Sequence, residues 1–448
     1  MFLSLYLMGT AVGGLLSGFI LDSWGRRLSA QVSTAIVFVG WVLMSIASSH
    51  HLLFVGRVMG GLGRGVSLLA ACVSYRYALI LLNFLSAKRH CYCLLLHHRF
   101  SVCSPQVSFG RNGGSQTTGR VVCLSTSILL NRHHGCVSAG DPRGLANSGG
   151  LAAGISIVNV VVYSFLHESP VWLVRKNRIN EASEVYNWLW RSTRPTQAER
   201  DLQEVVNRTN EENNSIPNSS SKWNCKRYLR PEFLKPFLII HIFNLIQVVC
   251  GSNLFIFYTV DILSGLKTDG SLDVNLTTNL TSIVRVVFMA VSCVMLVYVG
   301  RRPMSISSGL GSGIVAVVLG ILAHVQTVPA WVMIMCVLFY VAFNTYGYFV
   351  LPAIMVGEIL PSKIRCILGG YIYTMNDMAM FGATKIFPSV HTVIGTAGLF
   401  WVFGVFSLFC ALFLYLLLPE TKGRSLVQIE RYFLMPNILW LTRNKMKT

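Results

Sequence analysis

The chain has 448 residues, 53% of them hydrophobic and only 12% charged, with a mean hydropathy of +0.56. A soluble domain carries about 25% charged residues. The composition therefore excludes a disordered polymer, a nucleic-acid-binding domain and most soluble enzymes, and indicates a polytopic membrane protein. Lys and Arg number 37 against 18 Asp and Glu, a formal charge of +19, so the placement of those cations sets the topology.

A membrane-spanning helix needs about 20 mainly apolar residues. In chain order such stretches occur at 2–21, 28–48, 52–75, 146–166, 234–260, 278–299, 304–325, 329–357, 366–388 and 392–418. Backbone inside lipid must satisfy its own hydrogen bonds, so these predict helices and an all-α fold. Residues 2–21 lack the basic start and the small-residue cleavage site of a signal peptide. The links 22–27, 167–233, 300–303 and 358–365 and the tail 419–448 collect Lys and Arg, whereas the alternate links hold almost none. The first set is expected to be cytoplasmic, with the C-terminus inside.

This topology needs one more crossing between residues 76 and 145. That segment has no apolar run long enough. It holds eight Lys and Arg against one acid, Asp141, five of the twelve Cys and five of the eleven His. Its composition reads as a retained intron or a shifted frame, or else as an extra cytoplasmic loop. The expected organisation is an N-terminal transmembrane bundle at 1–166 containing this aberrant segment, a cytoplasmic helical linker at 167–233, a C-terminal bundle at 234–418 and a cytoplasmic tail at 419–448. Within the linker, Ile179, Ala182, Val185, Tyr186 and Leu189 recur at helical spacing, while 207–224 reads as a solvated connector.

The link after the first span reads Asp22-Ser-Trp-Gly25-Arg26-Arg27, and its counterpart reads Gly300-Arg301-Arg302. Glu168-Ser169-Pro170 follows the fourth stretch, Gly357-Glu358 and Arg365 precede the ninth, and Pro419-Glu420-Thr421-Lys422-Gly423-Arg424 follows the last. These five landmarks resemble the sugar porter family of the major facilitator superfamily, and within it insect facilitated trehalose transporter-like proteins. The resemblance implies two six-helix bundles moving by alternating access around a central site. It matches the ten stretches to helices 2–4 and 6–12 of the family, with helices 1 and 5 lacking. It also implies that Asp22, Gly25, Arg26, Arg27, Glu168, Arg301, Arg302, Glu358, Arg365, Glu420 and Arg424 form conformational latches. Arg26 and Arg27 could alternatively be topology anchors alone. Val297 replaces the acidic residue expected before Gly300, which predicts a weaker latch in the second half.

Sugars need amide or carboxylate partners and aromatic faces. Gln247, Gly251, Asn253 and Tyr258 resemble the family's helix 7 pattern, with a break at Gly251 able to turn Gln247 and Asn253 inward; the other reading of both is interhelical hydrogen bonding. Arg285 stands where the family has Asn, and Asp377, after Asn376, where it has Trp. Intramembrane charges default to functional sites, so Gln247, Asn253, Tyr258, Arg285, Asn376 and Asp377 are the candidate substrate-binding residues. Arg285 is expected to contact substrate or pair with Asp377, or else to snorkel outward. With Ala353 in place of a family Trp, a charged or polar metabolite becomes an alternative to a neutral sugar.

Asn275 and Asn279 begin glycosylation sequons at the outside link 261–277. Asn207, Asn213 and Asn218 are expected to stay bare. Cys91, Cys93, His97, His98 and Cys103 fit no standard zinc module, so no metal is expected. No catalytic triad, P-loop or HExxH occurs. The chain is expected not to be an enzyme, to need no cofactor, to bind no nucleic acid, and to have a small-molecule substrate and the lipid bilayer as partners. The reading is a facilitative carrier of a sugar or similar small polar solute in the plasma membrane. The alternatives are an organic-ion carrier of the same superfamily and a non-transporting product of a truncated or mis-spliced gene.

Overall fold

The computed structural model describes residues 2–47, 49–85, 142–164, 167–189, 195–214, 231–266, 274–325, 328–360, 365–422, 429 and 432–433. Within these, the long elements are all helices. The N-terminal half contains α1 (Phe2–Trp24), α2 (Arg26–Ser45), α3 (His50–Leu85) and α4 (Pro142–Ser164). A polar linker contains α5 (Pro170–Arg175), α6 (Ile179–Leu189) and α7 (Pro195–Asn214). The C-terminal half contains α8 (Pro231–Val249), α9 (Leu254–Phe257), α10 (Thr259–Ser264), α11 (Val274–Tyr298), α12 (Arg301–Val325), α13 (Ala330–Tyr346), α14 (Leu351–Ile359) and α15 (Arg365–Leu417).

The ten apolar stretches fall on helices, with 234–260 interrupted at 250–253 and 329–357 at 347–350. Seven helical runs are long and apolar enough to cross a membrane, and α15 counts there as one run of 53 residues. Gly395, at φ 71°, divides α15 into two legs; the break expected at 389–391 thus falls a few residues later, inside the stretch read as 392–418. Proline starts α4, α5, α7 and α8, a position where its fixed φ suits the helix and its missing N–H costs nothing. Exposed apolar side chains such as Phe19, Val39, Val287, Ile314, Val405 and Phe409 cover the outer faces. A monomer in water rarely exposes so much apolar surface; here the surrounding medium is lipid.

In the N-terminal half α3 packs on α1 and α2, and α2 on α4. Close approach rests on glycine: a Cβ on Gly9 would stand 2.6 Å from the Val58 carbonyl oxygen. Small residues let membrane helices approach backbone to backbone. The C-terminal half is built on α15, which α8 and α12 flank, with α13 against α11 and α12. Its core includes Phe243, Tyr348, Leu351, Met355 and Leu414, all fully buried.

The halves meet chiefly along α1 and the first leg of α15. Thr374 Oγ1 donates to the Ala11 carbonyl at 3.1 Å. A Cβ on Gly18 would stand 3.0 Å from the Cys366 carbonyl oxygen, and one on Gly370 2.8 Å from that of Gly14. This contact lies toward the end of α1 that carries the Gly25-Arg26-Arg27 link. The halves are therefore closed against each other at the charged end.

Three expectations are corrected. Ile179 is exposed, although Ala182, Val185 and Tyr186 of the same stripe are buried. Leu173, Val174, Ala182 and Val185 form a small linker core against Leu202, Val205 and Val206 of α7. α7 runs on to Asn214, so the connector read at 207–224 is helical in its first part. Asn275 and Asn279 lie inside α11 rather than in the preceding link, and their sequon partners Thr277 and Thr281 are buried. Residues 86–141, with the missing crossing and the Cys91 to Cys103 cluster, lie outside the described residues, as does Arg424.

Candidate functional site

The charged end carries the same device twice. Gly25 turns the chain between α1 and α2 at φ 85°, and Gly300 turns it between α11 and α12 at φ 97°. Such backbone suits glycine, since a Cβ costs energy there. A Cβ would also strike a carboxylate: Glu168 Oε2 would lie 2.6 Å from one on Gly25, and Glu420 Oε2 2.9 Å from one on Gly300.

Those carboxylates cap helix N-termini. Glu168 accepts from the Arg26 N–H at 2.8 Å, the Arg27 N–H at 3.0 Å and the Ser169 N–H at 2.9 Å. Glu420 accepts from the Arg301 and Arg302 N–H groups, each at 3.1 Å, and from the Lys422 N–H at 2.9 Å. The first N–H groups of a helix lack intrahelical partners and carry the positive end of its dipole, which an acidic group satisfies. Each second arginine then grips the facing helix: Arg27 Nη2 donates to the Ser164 carbonyl at 2.5 Å, and Arg302 Nη2 to the Tyr415 carbonyl at 2.8 Å. The resemblance pointed to Glu168 and Glu420, but their bonding to main-chain N–H groups emerges only from the fold.

The second half carries an additional ion pair. Arg301 and Glu358 side chains are 8% and 9% exposed, with Nη2 to Oε1 at 2.6 Å. Arg301 Nη1 also reaches the Leu296 carbonyl at 3.1 Å, and Thr421 Oγ1 donates to Glu358 Oε2 at 2.6 Å. Asp22, whose second-half counterpart is Val297, is exposed, and its carbonyl accepts from Trp172 Nε1 at 3.1 Å. Arg365 donates to the Leu360 carbonyl, from Nη2 at 2.8 Å and from Nε at 3.0 Å.

Nearer the middle of the C-terminal half, the helix carrying Gln247 breaks as expected. Gly251 takes φ 78°, with the Phe403 ring 2.6 Å from where its Cβ would be. Beside the break lies a small cleft lined by Ser252, Phe255, Arg285, Tyr340, Asn344 and Phe349, among others. Ser252 Oγ donates to Asn344 Oδ1, and Tyr340 Oη donates to the Cys250 carbonyl at 3.0 Å.

The other candidates are distributed differently. Gln247 Nε2 donates to the Tyr348 carbonyl at 2.6 Å, which is interhelical bonding. Tyr258 Oη donates to the Thr384 carbonyl at 2.8 Å, and its ring stacks on Phe387 at 4.1 Å. Asn253 precedes α9, and its carbonyl accepts from the Ile256 N–H at 3.1 Å. Asn376 Oδ1 is buried without a hydrogen-bond partner. Asp377 is buried beside Thr10 of α1, in the field of Arg64 of α3. Arg64, from the opposite half, thus replaces Arg285 as the cation expected at Asp377. The intramembrane-charge rule points equally to Arg64, which the sequence reading passed over. Tyr340 and Asn344, four apart on α13, share a helix face, a second signal left unused.

Arg285 is mid-span. It lies nine residues into the apolar run Leu276–Leu296, about 14 Å along the axis. It opens onto the cleft, which counts against outward snorkelling.

A family model described as sugar (and other) transporter matches residues 1–75 and 142–433, and the chain belongs to that family. Residues 76–141, within the segment of aberrant composition, fall outside the match. The facilitated trehalose transporter Tret1 of Apis mellifera ligustica is 27% identical over 440 residues, 97% of this chain and 79% of that protein. Its namesake in Culex quinquefasciatus is 24% identical over 431 residues, 94% and 74% of the two chains. Among solved structures, the major facilitator superfamily proton:xylose symporter XylE bound to 6-bromo-6-deoxy-D-glucose superposes with a TM-score of 0.72 at 18% identity, covering 96% of this chain and 88% of the other. XylE from E. coli in its inward open conformation gives 0.63 at 18% identity, covering 96% and 87%. The fold is that of the major facilitator superfamily, and the chain is an integral membrane protein of a carrier family, not an enzyme.

Proposed function

We propose that the chain carries a sugar or similar small polar solute across the plasma membrane, down its gradient, by alternating access. The observation that carries this reading is the duplicated Gly-Arg-Arg and Glu device, one per half, at the end where α1 and α15 close the halves together. Two bundles with matching joints, separated by a linker, suit rocking about a central site. The units are 1–166, 167–233, 234–418 and 419–448, with the charged end and the C-terminus cytoplasmic, as the positive loops favour. Gln247, Asn253, Tyr258, Arg285, Asn376 and Asp377 contribute to the solute route. Gln247 and Tyr258 do so by holding the broken helix in place, since their side chains bond main-chain carbonyls.

The test is uptake of labelled trehalose, glucose and xylose by proteoliposomes containing the purified chain. Saturable uptake, stimulated by solute preloading and indifferent to an imposed proton gradient, is expected. Uptake no greater than in empty vesicles refutes the reading. One observation favours a second reading, a non-transporting product: the family match is interrupted at 76–141. Sequencing the transcript across codons 70–150 separates the two, because a transcript that replaces this segment with a spanning helix removes the support for the second.

A further inference from the structure

We infer that Asp377 of the C-terminal half is clasped by Arg64 and Thr10 of the N-terminal half at the inner end of the seam between α1 and α15, and that this clasp is made while the charged end is closed and parted when it opens. The inference rests on the alternating-access reading above and assigns part of its conformational balance to three residues. Three observations carry it.

First, the seam runs in register up to Asp377. α1 and the first leg of α15 pass antiparallel, so that Gly18 meets Cys366, Gly14 meets Gly370 and Thr374, and Thr374 Oγ1 donates to the Ala11 carbonyl at 3.1 Å. The next step brings Thr10 against Asp377, to which its hydroxyl bonds. Asp377 is 6% exposed and Thr10 is fully buried. Asp377 stands twelve residues past Arg365, where its apolar run begins. That is about 18 Å along the axis, near the middle of a hydrocarbon core about 30 Å thick. Second, α3 holds Arg64 within reach. Its sequence neighbours are glycines pressed on two other helices. A Cβ on Gly63 would stand 2.6 Å from the Ser33 carbonyl oxygen of α2, and one on Gly65 2.6 Å from the Gly14 nitrogen of α1. Between them, Arg64 Cζ lies 5.6 Å from the centre of the Tyr6 ring, one turn before Thr10 on α1. The arginine thus reaches over α1 at the inner end of the seam, and its charge acts on Asp377. Third, the two charges sit on different halves, in a medium that makes either costly alone. An intramembrane charge calls for a partner, and a buried charge left without one is strongly destabilising. Moving α15 off α1 to open the charged end takes Asp377 away from Thr10 and Arg64 together. The attraction therefore favours closure, and opening requires water or solute to replace it.

Cys366 is a native probe of this opening, because it is partly buried on the seam at the charged end. Cys410, fully buried in the core of the C-terminal half, reports unfolding instead. The full chain in detergent is treated with N-ethylmaleimide, and the modification rate of each cysteine is read by peptide mass spectrometry. In Asp377→Asn and in Arg64→Gln, Cys366 is expected to react about tenfold or more faster than in the native chain, with Cys410 unchanged. The charge-reversed pair, Asp377→Arg with Arg64→Asp, is expected to return Cys366 to within about threefold of the native rate. Thr10→Val removes only a hydroxyl and so tests the clasp without a charge defect; a rise of about threefold is expected. Cys366 rates unchanged in these single variants overturn the inference, as do Cys410 rates that rise in step with Cys366. A charge-reversed pair as reactive as the single variants overturns it too. The readout needs no solute. Unchanged Cys366 rates in a chain that carries solute refute the clasp and leave the transport reading intact, whereas the expected rates in a chain that carries none uphold the clasp as a joint between the halves and refute the transport reading.

Discussion

Removing Glu358 from its buried pair should destabilise the C-terminal half strongly. Arg301 makes three contacts to this carboxylate, Nε at 3.1 Å to each oxygen and Nη2 at 2.6 Å to Oε1. Its bond to the Leu296 carbonyl would remain, and Thr421 would lose its carboxylate acceptor as well. Both charged side chains are less than one-tenth exposed. Breaking a buried pair by removing one partner costs about 3–5 kcal/mol, because the other charge stays buried alone. Glu358→Ala should fall in that range. Glu358→Gln keeps shape and one acceptor but loses the charge, so a cost of about 1.5–3 kcal/mol is expected, the worth of a hydrogen bond to a charged group. The double variant Arg301→Met with Glu358→Met should recover most of the Glu358→Ala loss, since no charge remains to desolvate. The assay is equilibrium denaturation in mixed micelles, read as a double-mutant cycle. Stabilities of Glu358→Ala and the native chain within about 0.5 kcal/mol of each other would refute the argument.

Gly25→Ala and Gly300→Ala should each lower the melting temperature and cost about 1–2 kcal/mol from the positive φ alone, with an added cost from displacing the Glu168 or Glu420 carboxylate; thermal melts in detergent check this, and an unchanged melt counts against both turns. Gly18→Trp should wedge α1 away from Cys366 and lower uptake by about tenfold or more while the protein stays monodisperse; native uptake would show that the halves need not close there. Asp377→Asn should destabilise the chain, and a second change, Arg64→Gln, should restore part of the loss; strict additivity in a double-mutant cycle would separate the two sites.

The ten helices were legible because span length and hydrophobicity are properties of a contiguous stretch, as at 304–325, which falls wholly within α12. The break at Gly251 was legible for a similar local reason, since glycine tolerates a positive φ that other residues resist. The boundary at Val274 was not, because the polar sequon residues that suggested a link are carried on an α11 turn whose threonines pack inward. Polar partners were the least legible. Glu168 bonds N–H groups more than 140 residues earlier, Gln247 a carbonyl 101 residues later, and Asp377 faces Arg64 from the other half. In a medium without water, a polar side chain takes whichever donor or acceptor the neighbouring helix presents. The amino-acid order determines which residues need a partner. The crossing of helices determines which partner each one gets, and it leaves Arg285 facing the cleft.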